Sequence, residues 1–340
     1  MASRRILLGL SFFNQTAEVT DTLRSFLTLL EDGTYEVVLG LENEKARSEI
    51  GPVLQSLQAQ GWPACYLWDD IVNRSALQLL EPDTARPFFA TFSYGAAVNR
   101  LLLLAAAAHC DCLVRLDPGT ASPPNIARLV DRHLNALSQG KKVISAQYSA
   151  RVAIRDDFVP EPKRLDYYTL IQTATGIDCR PGQQVTGGAA MTICTEGPPA
   201  IVFDNVKVWA SDDGFFQVAF GDDATEVQRE ITITRSEPGF GLELSAYVAR
   251  VGAMVMLRHA VIGSDAGRAL REAREFVRNI AAFVAPGYSY DPEAADRAIT
   301  PQVGTVYDGY ENYRQLTKGW TSIAAGLIQK IEPNQLLLWR

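Results

Sequence analysis

Asp117 closes a short apolar run, Cys112 to Leu116, which stops abruptly at Asp117-Pro118-Gly119-Thr120. Read as a buried strand, that run delivers a carboxylate to its own C-terminal end. Open α/β sheets bind their ligands at such ends, because strand ends and loops form a crevice there with free backbone groups. Asp-Pro-Gly is equally ordinary turn chemistry. Other residues of the right type for chemistry are the acidic pairs Asp212-Asp213 and Asp222-Asp223, the Asn99-Arg100 pair, and His259, which follows the apolar stretch Gly239 to Leu257. Gly187-Gly188 marks a place where backbone approaches a ligand or another strand.

The elements that must position these residues can be read from hydrophobic periodicity. Ile6 to Leu10 is a continuous apolar run, the pattern of a strand buried on both faces, and a helix over Glu18 to Leu30 follows with Val19, Leu23, Phe26, Leu27 and Leu30 at helical spacing. Glu36 to Leu41 is a second buried strand, closing on Glu42-Asn43-Glu44. Strand, helix, strand in about 40 residues is a βαβ unit, so the sheet should be parallel with right-handed crossovers. A helix over Ala46 to Gln60 and a strand over Ala64 to Trp68 come next. Residues 69 to 92 look irregular, with Pro82 and Pro87. Ser93 to Ala108 is a long helix, apolar almost all round from Leu101, which carries Asn99 and Arg100 and feeds the strand before Asp117. A helix over Ile126 to Leu137 and strands over Lys142 to Gln147 and Ala190 to Cys194 follow. Gly239 to Leu257 is strand-like. The last 75 residues are mostly helical, Arg268 to Ala285 and Tyr310 to Ile331, with a linker over Pro286 to Val306.

Bulk properties exclude several classes. The chain of 340 residues has 47% hydrophobic and 21% charged residues, those of a globular protein with a sizeable core. A net charge of −7 argues against a nucleic-acid binder, whose affinity rests on Lys and Arg against phosphates. Five scattered cysteines with no CxxC pair, and no secretory signal, point to a reducing, cytoplasmic compartment. The longest apolar run, Leu101 to Ala108, is far below the roughly 20 residues of a membrane span, so no transmembrane segment is expected. No GxGxxG follows the first strand and there is no P-loop.

The order of these features resembles the GT-A glycosyltransferases, nucleotide-sugar-dependent enzymes of which family 2 is the largest group, over residues 4 to 260. The resemblance rests on a first strand followed by Phe13-Asn14, a second ending in Glu42-Asn43, a helix carrying Asn99-Arg100, a strand ending in Asp117, and an acidic pair about 95 residues later. It implies an α/β, Rossmann-like, mostly parallel sheet flanked by helices, divided into a nucleotide-binding half (1–122) and an acceptor-binding half (123–264). Residues 265–340 would be a C-terminal helical extension. It also implies that Ser11, Asn14 and Glu42 line a nucleoside pocket, with Asn99, Arg100, Gly187 and Gly188 completing the nucleotide-sugar site.

The family's Asp-x-Asp motif holds Mn²⁺ or Mg²⁺ on the donor diphosphate. Asp117 matches its first acid, whereas Gly119 stands where the last Asp should be, so either another group completes the shell or metal dependence is weak or lost. His259 is the candidate. Asp212 and Asp213 fall where inverting members keep a carboxylate that takes the acceptor's proton, and Asp213 is favoured as that base. Trp209, Phe215 and Phe216 would wall the sugar or acceptor and raise the acid's pKa.

The resemblance thus implies transfer of a sugar from a nucleoside diphosphate to an acceptor hydroxyl, with no nucleic-acid partner. A lapsed member would bind a sugar nucleotide or a partner protein without transfer. A nucleotidyltransferase would need a Gly-rich basic loop after the first strand, and Ser11 to Thr16 has neither Gly nor Lys. The C-terminal helices, with mixed Arg and Glu, suit packing or a homodimer contact.

Overall fold

The computed structural model describes residues 4–12, 16–31, 33–45, 47–80, 86–90, 94–122, 126–141, 143–148, 155–177, 190–194, 224–233, 243–331 and 336–339. Its strands are β1 (Arg4–Ser11), β2 (Tyr35–Glu42), β3 (Cys65–Trp68), β4 (Cys112–Leu116), β5 (Thr120–Ala121), β6 (Val143–Tyr148), β7 (Ala190–Cys194), β8 (Ala224–Ile233) and β9 (Leu337–Trp339). They form one sheet in the order β5-β8-β6-β7-β4-β1-β2-β3-β9. The centre, β4-β1-β2-β3, is parallel throughout. Beyond it, β7 runs antiparallel to both β4 and β6, β8 is parallel to β6, and β9 and β5 pair antiparallel at the margins.

The central strands read as unbroken apolar runs because both of their faces are covered. Side chains alternate across a strand, and the two sets go to two different cores. Ile6, Leu8, Leu10, Val37, Leu39, Leu41, Val114 and Leu116 pack with the helices Thr16–Ser25, Gly51–Ala59 and Ile126–Ser138. Leu7, Val38, Tyr66, Trp68 and Leu113 pack with the helices Asp70–Leu79 and Tyr94–Ala107 on the other face. Behind Tyr94–Ala107 lies a second layer, the helices Leu244–Val261, Ala266–Ile280, Pro292–Ile299 and Gln302–Lys330, whose buried residues belong to that same core. From Leu101 on, Tyr94–Ala107 is apolar all round because the helix touches the sheet on one side and Gln302–Lys330 on the other.

The architecture is the expected α/β sheet flanked by helices, with helices at the C-terminus. Several elements differ from the sequence expectation. The stretch up to Leu257 is not a strand: Leu244–Val261 is a helix, capped by Glu243, whose side chain accepts from Ser245 N at 3.0 Å. It is buried on nearly every side, so no polar face betrays its period, and the helical layer begins there, ahead of Asp265. Gly252 lets neighbouring helices approach, since a Cβ there would lie 3.2 Å from Ile299 Cγ2.

Residues 69 to 92 contain two helices, Asp70–Leu79 and Pro87–Ala90. Asp69 caps the first, accepting from Val72 N at 2.9 Å. The helix expected over Glu18 to Leu30 breaks into Thr16–Ser25 and Thr28–Glu31. The supposed linker after Pro286 holds Pro292–Ile299, capped by Asp291.

Candidate active site

Register fixes which residues meet at the C-terminal edge of the parallel strands. Ser11 lies opposite Glu42, Glu42 opposite Trp68, and Leu10 opposite Leu116. Asp117, the next residue after Leu116, therefore arrives beside the end of β1. Alternation puts Ser11, Glu42, Trp68, Arg115 and Asp117 on the face covered by Tyr94–Ala107. Gly9 and Gly40 precede Ser11 and Glu42 on that face, where a Cβ would strike Leu113 and Leu7 respectively, so the apolar layer closes directly beneath the polar one.

Glu42, Arg100 and Asn99 form a buried polar cluster behind this edge. Arg100 Nη1 lies 2.6 Å from Glu42 Oε1, and the two side chains are 1% and 4% exposed. The Ser11 hydroxyl donates to the other oxygen of Glu42. Arg100 Nε donates to the Phe89 carbonyl at 2.8 Å, and Asn99 Nδ2 to the Phe88 carbonyl at 2.8 Å. Phe89 in turn stacks on Trp320 of the C-terminal helix, with ring centroids 6.1 Å apart. A buried charge is tolerated only when paired and hydrogen-bonded, and both charges meet that condition through protein groups. Glu42, Asn99 and Arg100 thus bind strand end, Pro87–Ala90 segment and helix layer to one another from inside the wall.

Two further residues rigidify the edge. Asn43 Nδ2 donates to the Phe12 carbonyl, its Oδ1 accepts from Lys45 N at 2.8 Å, and its own N–H donates to the Trp68 carbonyl at 3.0 Å. Asp69, fully buried, receives Arg47 Nε at 3.3 Å besides capping its helix.

Asp117 is different, because its side chain is 28% exposed. Oδ1 accepts from Arg115 Nη2 at 3.0 Å, and the Asp117 carbonyl accepts from Thr120 N at 3.1 Å. With Pro118 and Gly119 between them, this is a β-turn whose third residue has φ +85, the left-handed backbone that favours glycine. Gly119 N donates to Thr22 Oγ1 at 2.8 Å, which ties the turn to the first helix. The strand thus ends in a turn that also carries a carboxylate, and the left-handed backbone at position 119 suits glycine.

His259 lies in the helix Leu244–Val261, which corrects its expected place at a strand end. Its Nε2 is 2.8 Å from Glu272 Oε2, while Glu272 Oε1 accepts from Arg268 Nε at 2.8 Å. The Arg268 hydrogen bond, with help from His259, holds the Glu272 carboxyl below the usual range. Among the described residues no group of three or more His, Cys, Asp or Glu is placed to hold a metal ion. The structure does not gather Asp117 and His259 into such a group. Asp117 offers a single carboxylate, ion-paired with Arg115.

Asn14, Gly187, Gly188, Asp212 and Asp213, with the rival pair Asp222-Asp223, lie outside the described residues. Arg115 is the site residue that sequence reasoning missed. Its signal was a lone charge inside an apolar strand, two positions before an acid and so on the same face. Burial pushes the Cys110 thiol up to about 12 and the His133 imidazole down to about 4, leaving both neutral at pH 7.

Polar side chains gathered at parallel strand ends, with the partly exposed Asp117 among them, occupy the place where open α/β sheets bind ligands. No protein-family model matches the chain, and no curated protein matches it. Among solved structures it is similar to glucosyl-3-phosphoglycerate synthase from Mycobacterium tuberculosis in complex with phosphoglyceric acid, at 16% identity and TM-score 0.48, covering 76% of this chain and 80% of that one. It is similar also to that enzyme with Mn²⁺, UDP-glucose and phosphoglyceric acid (16%, TM-score 0.46, 80% of each chain). A third similar structure is that enzyme with Mg²⁺ and UDP (16%, TM-score 0.48, 78% and 81%).

Proposed function

We propose that the protein is a glycosyltransferase that moves a sugar, of hexosyl type, from a nucleoside diphosphate to an acceptor hydroxyl. The observation that carries this reading is the polar strand-end edge: four parallel strands whose ends bring together Ser11, Asn43, Asp69 and the partly exposed Asp117. In this reading the nucleoside lies along the ends of β1 to β3, and the diphosphate lies at Asp117. Asp117 would offer a hard oxygen to a divalent cation, Mn²⁺ or Mg²⁺, which when bound neutralises charge on the leaving diphosphate. The buried ion pair of Glu42 and Arg100 keeps the crevice wall fixed, so that the donor meets a preformed surface.

Asp213, with Asp212 beside it, is the proposed base that takes the acceptor's proton in an inverting displacement. In a retaining enzyme it would instead orient the acceptor or sugar. Asn14, Gly187 and Gly188 are proposed to contact the donor, and the enzyme to act in the cytoplasm. No described helix is long and apolar enough to cross a membrane.

Calorimetry with UDP and GDP, with and without Mn²⁺, on the native protein and on Asp117→Ala tests the reading. Metal-dependent binding that the substitution abolishes supports it. Absence of binding by UDP, GDP and dTDP under every metal condition overturns it.

A further inference from the structure

We infer that the cavity between the C-terminal ends of the helices Tyr94–Ala107 and Gln302–Lys330 binds an uncharged, mainly apolar small molecule with a hydrogen-bonding group at one end. It adjoins the turn that leads into β4, at the edge of the sheet opposite Asp117, and is separate from the proposed donor site.

The cavity measures about 510 Å³, the size of a small-molecule site. Two rows at i, i+4 spacing on Gln302–Lys330 build one side of it. Trp320, Ala324 and Ile328 form the inner, apolar row, and Thr321, Ala325 and Gln329 form the exposed rim. The space is open because alanine stands at 324 and 325, and at 106 on the facing helix. Neither wall is free to collapse into it. Trp320 is stacked on Phe89, with ring centroids 6.1 Å apart and planes within 7°. Opposite, Asp111 N donates to the Arg5 carbonyl at 2.7 Å and Arg5 N to Asp111 Oδ2 at 2.9 Å, which pins the turn to β1.

The lining sets the chemistry of the occupant. It contains no Asp, Glu, Lys or Arg, and burial keeps the Cys110 thiol protonated. A charged ligand would give up its hydration there without gaining a counter-charge. Hydrogen-bonding groups stand at the rim, in Thr321, Gln329 and His109.

His109 is the second, independent sign of a ligand. Its φ is +54, and it is the one non-glycine among the described residues with a left-handed backbone. Two other helices end on glycine in this conformation, at Gly176 and Gly263, both with φ +77. At the end of Tyr94–Ala107 the same reversal is made, with His109 N donating to the Ala106 carbonyl at 3.1 Å and Cys110 N to the Ala105 carbonyl at 2.9 Å. Glycine would make that reversal without strain. A strained residue on the lip of a cavity points to a side chain that serves a ligand.

The test is fluorescence titration with N-phenyl-1-naphthylamine, an uncharged fused-ring amine with a single N–H donor, on the native protein, Ala325→Phe and His109→Gly. A parallel titration uses 8-anilinonaphthalene-1-sulfonate, the same skeleton carrying a negative charge. The native protein is expected to bind the neutral probe saturably and one to one, and the sulfonate at least about tenfold more weakly, because that charge is left unpaired. Ala325→Phe changes an exposed position, so the fold is retained, and it should weaken the neutral probe by about tenfold or more by filling the space. His109→Gly should be at least as stable as the native chain in a thermal scan and yet bind roughly threefold more weakly, the worth of one hydrogen bond.

No saturable binding of the neutral probe overturns the inference, and so does binding that a folded Ala325→Phe leaves unchanged. Equal affinity for the sulfonate overturns the uncharged class of ligand. A stable His109→Gly with native affinity overturns the role of His109, since a merely structural histidine moves the thermal scan alone. None of these outcomes bears on the glycosyltransferase reading, which the nucleotide titrations test separately.

Discussion

Glu42 offers the sharpest separation of wall from ligand contact. Its carboxylate is 4% exposed and is engaged by Arg100 at 2.6 Å and by the Ser11 hydroxyl. Replacing Glu42 with Gln leaves the Arg100 guanidinium buried without a counter-charge, and Arg100→Met leaves the carboxylate in the same position. Breaking a buried pair from one side costs about 3–5 kcal/mol. A chain of 340 residues unfolds with an entropy on the order of 0.7 kcal/mol/K, so each single variant should lower Tm by about 4–7 °C.

The double variant removes both charges and should recover part of that loss, with a coupling of about 2 kcal/mol or more. Thermal scanning of the four proteins reads the cycle. A Glu42→Gln protein that keeps the native Tm but no longer binds any nucleotide would refute this reasoning. Glu42 would then be a donor contact whose partner is the ligand.

Two other predictions follow from single sites. Gly119→Ala should cost about 1–2 kcal/mol, because φ there is +85 and an L side chain is strained in that region, a loss readable by chemical denaturation. Gly119→Asp should meet the same strain and also lower stability. The buried His133 should make stability fall in acid. Its pKa is lowered by burial to about 4, so the unfolded chain, with an ordinary pKa near 6.5, binds the extra proton. The contribution is fully present above about pH 6.5 and is lost as pH falls toward 4, by up to about 3 kcal/mol. His133→Gln should flatten that slope in urea titrations run between pH 7 and 4.

Much of the fold was legible because its centre is buried on both faces. β1, β2 and β4 announce themselves as largely apolar runs, as does the second half of Tyr94–Ala107, and β4 was bounded at Cys112 and Leu116 as observed. The same signal misled at Leu244–Val261. A helix enclosed on all sides has no polar stripe, and only its length, 18 residues, separates it from a strand. Asp70–Leu79 was hidden by the prolines after it, although Asp69 was a cap in plain view.

At the site, the strand ends pointed to Ser11, Glu42 and Asp117. What sequence did not carry is the occupancy of each group. Glu42 is taken by Arg100, 58 positions away, and this pairing exists only once the helix lies on the sheet. Arg115 and Asp117 are two residues apart, and their pairing was within reach of the alternation rule.

Sugar transfer at the strand-end site is read by release of nucleoside diphosphate from sugar nucleotides. UDP-, GDP- and dTDP-linked hexoses would be incubated with the protein and Mn²⁺, with Asp117→Asn and metal-free samples beside them, and the free diphosphate measured. The account predicts release from at least one donor, lost on chelation and in Asp117→Asn. Tight binding of a donor with no release, with or without added hydroxyl acceptors, would contradict it and leave a protein that binds sugar nucleotides without transferring them.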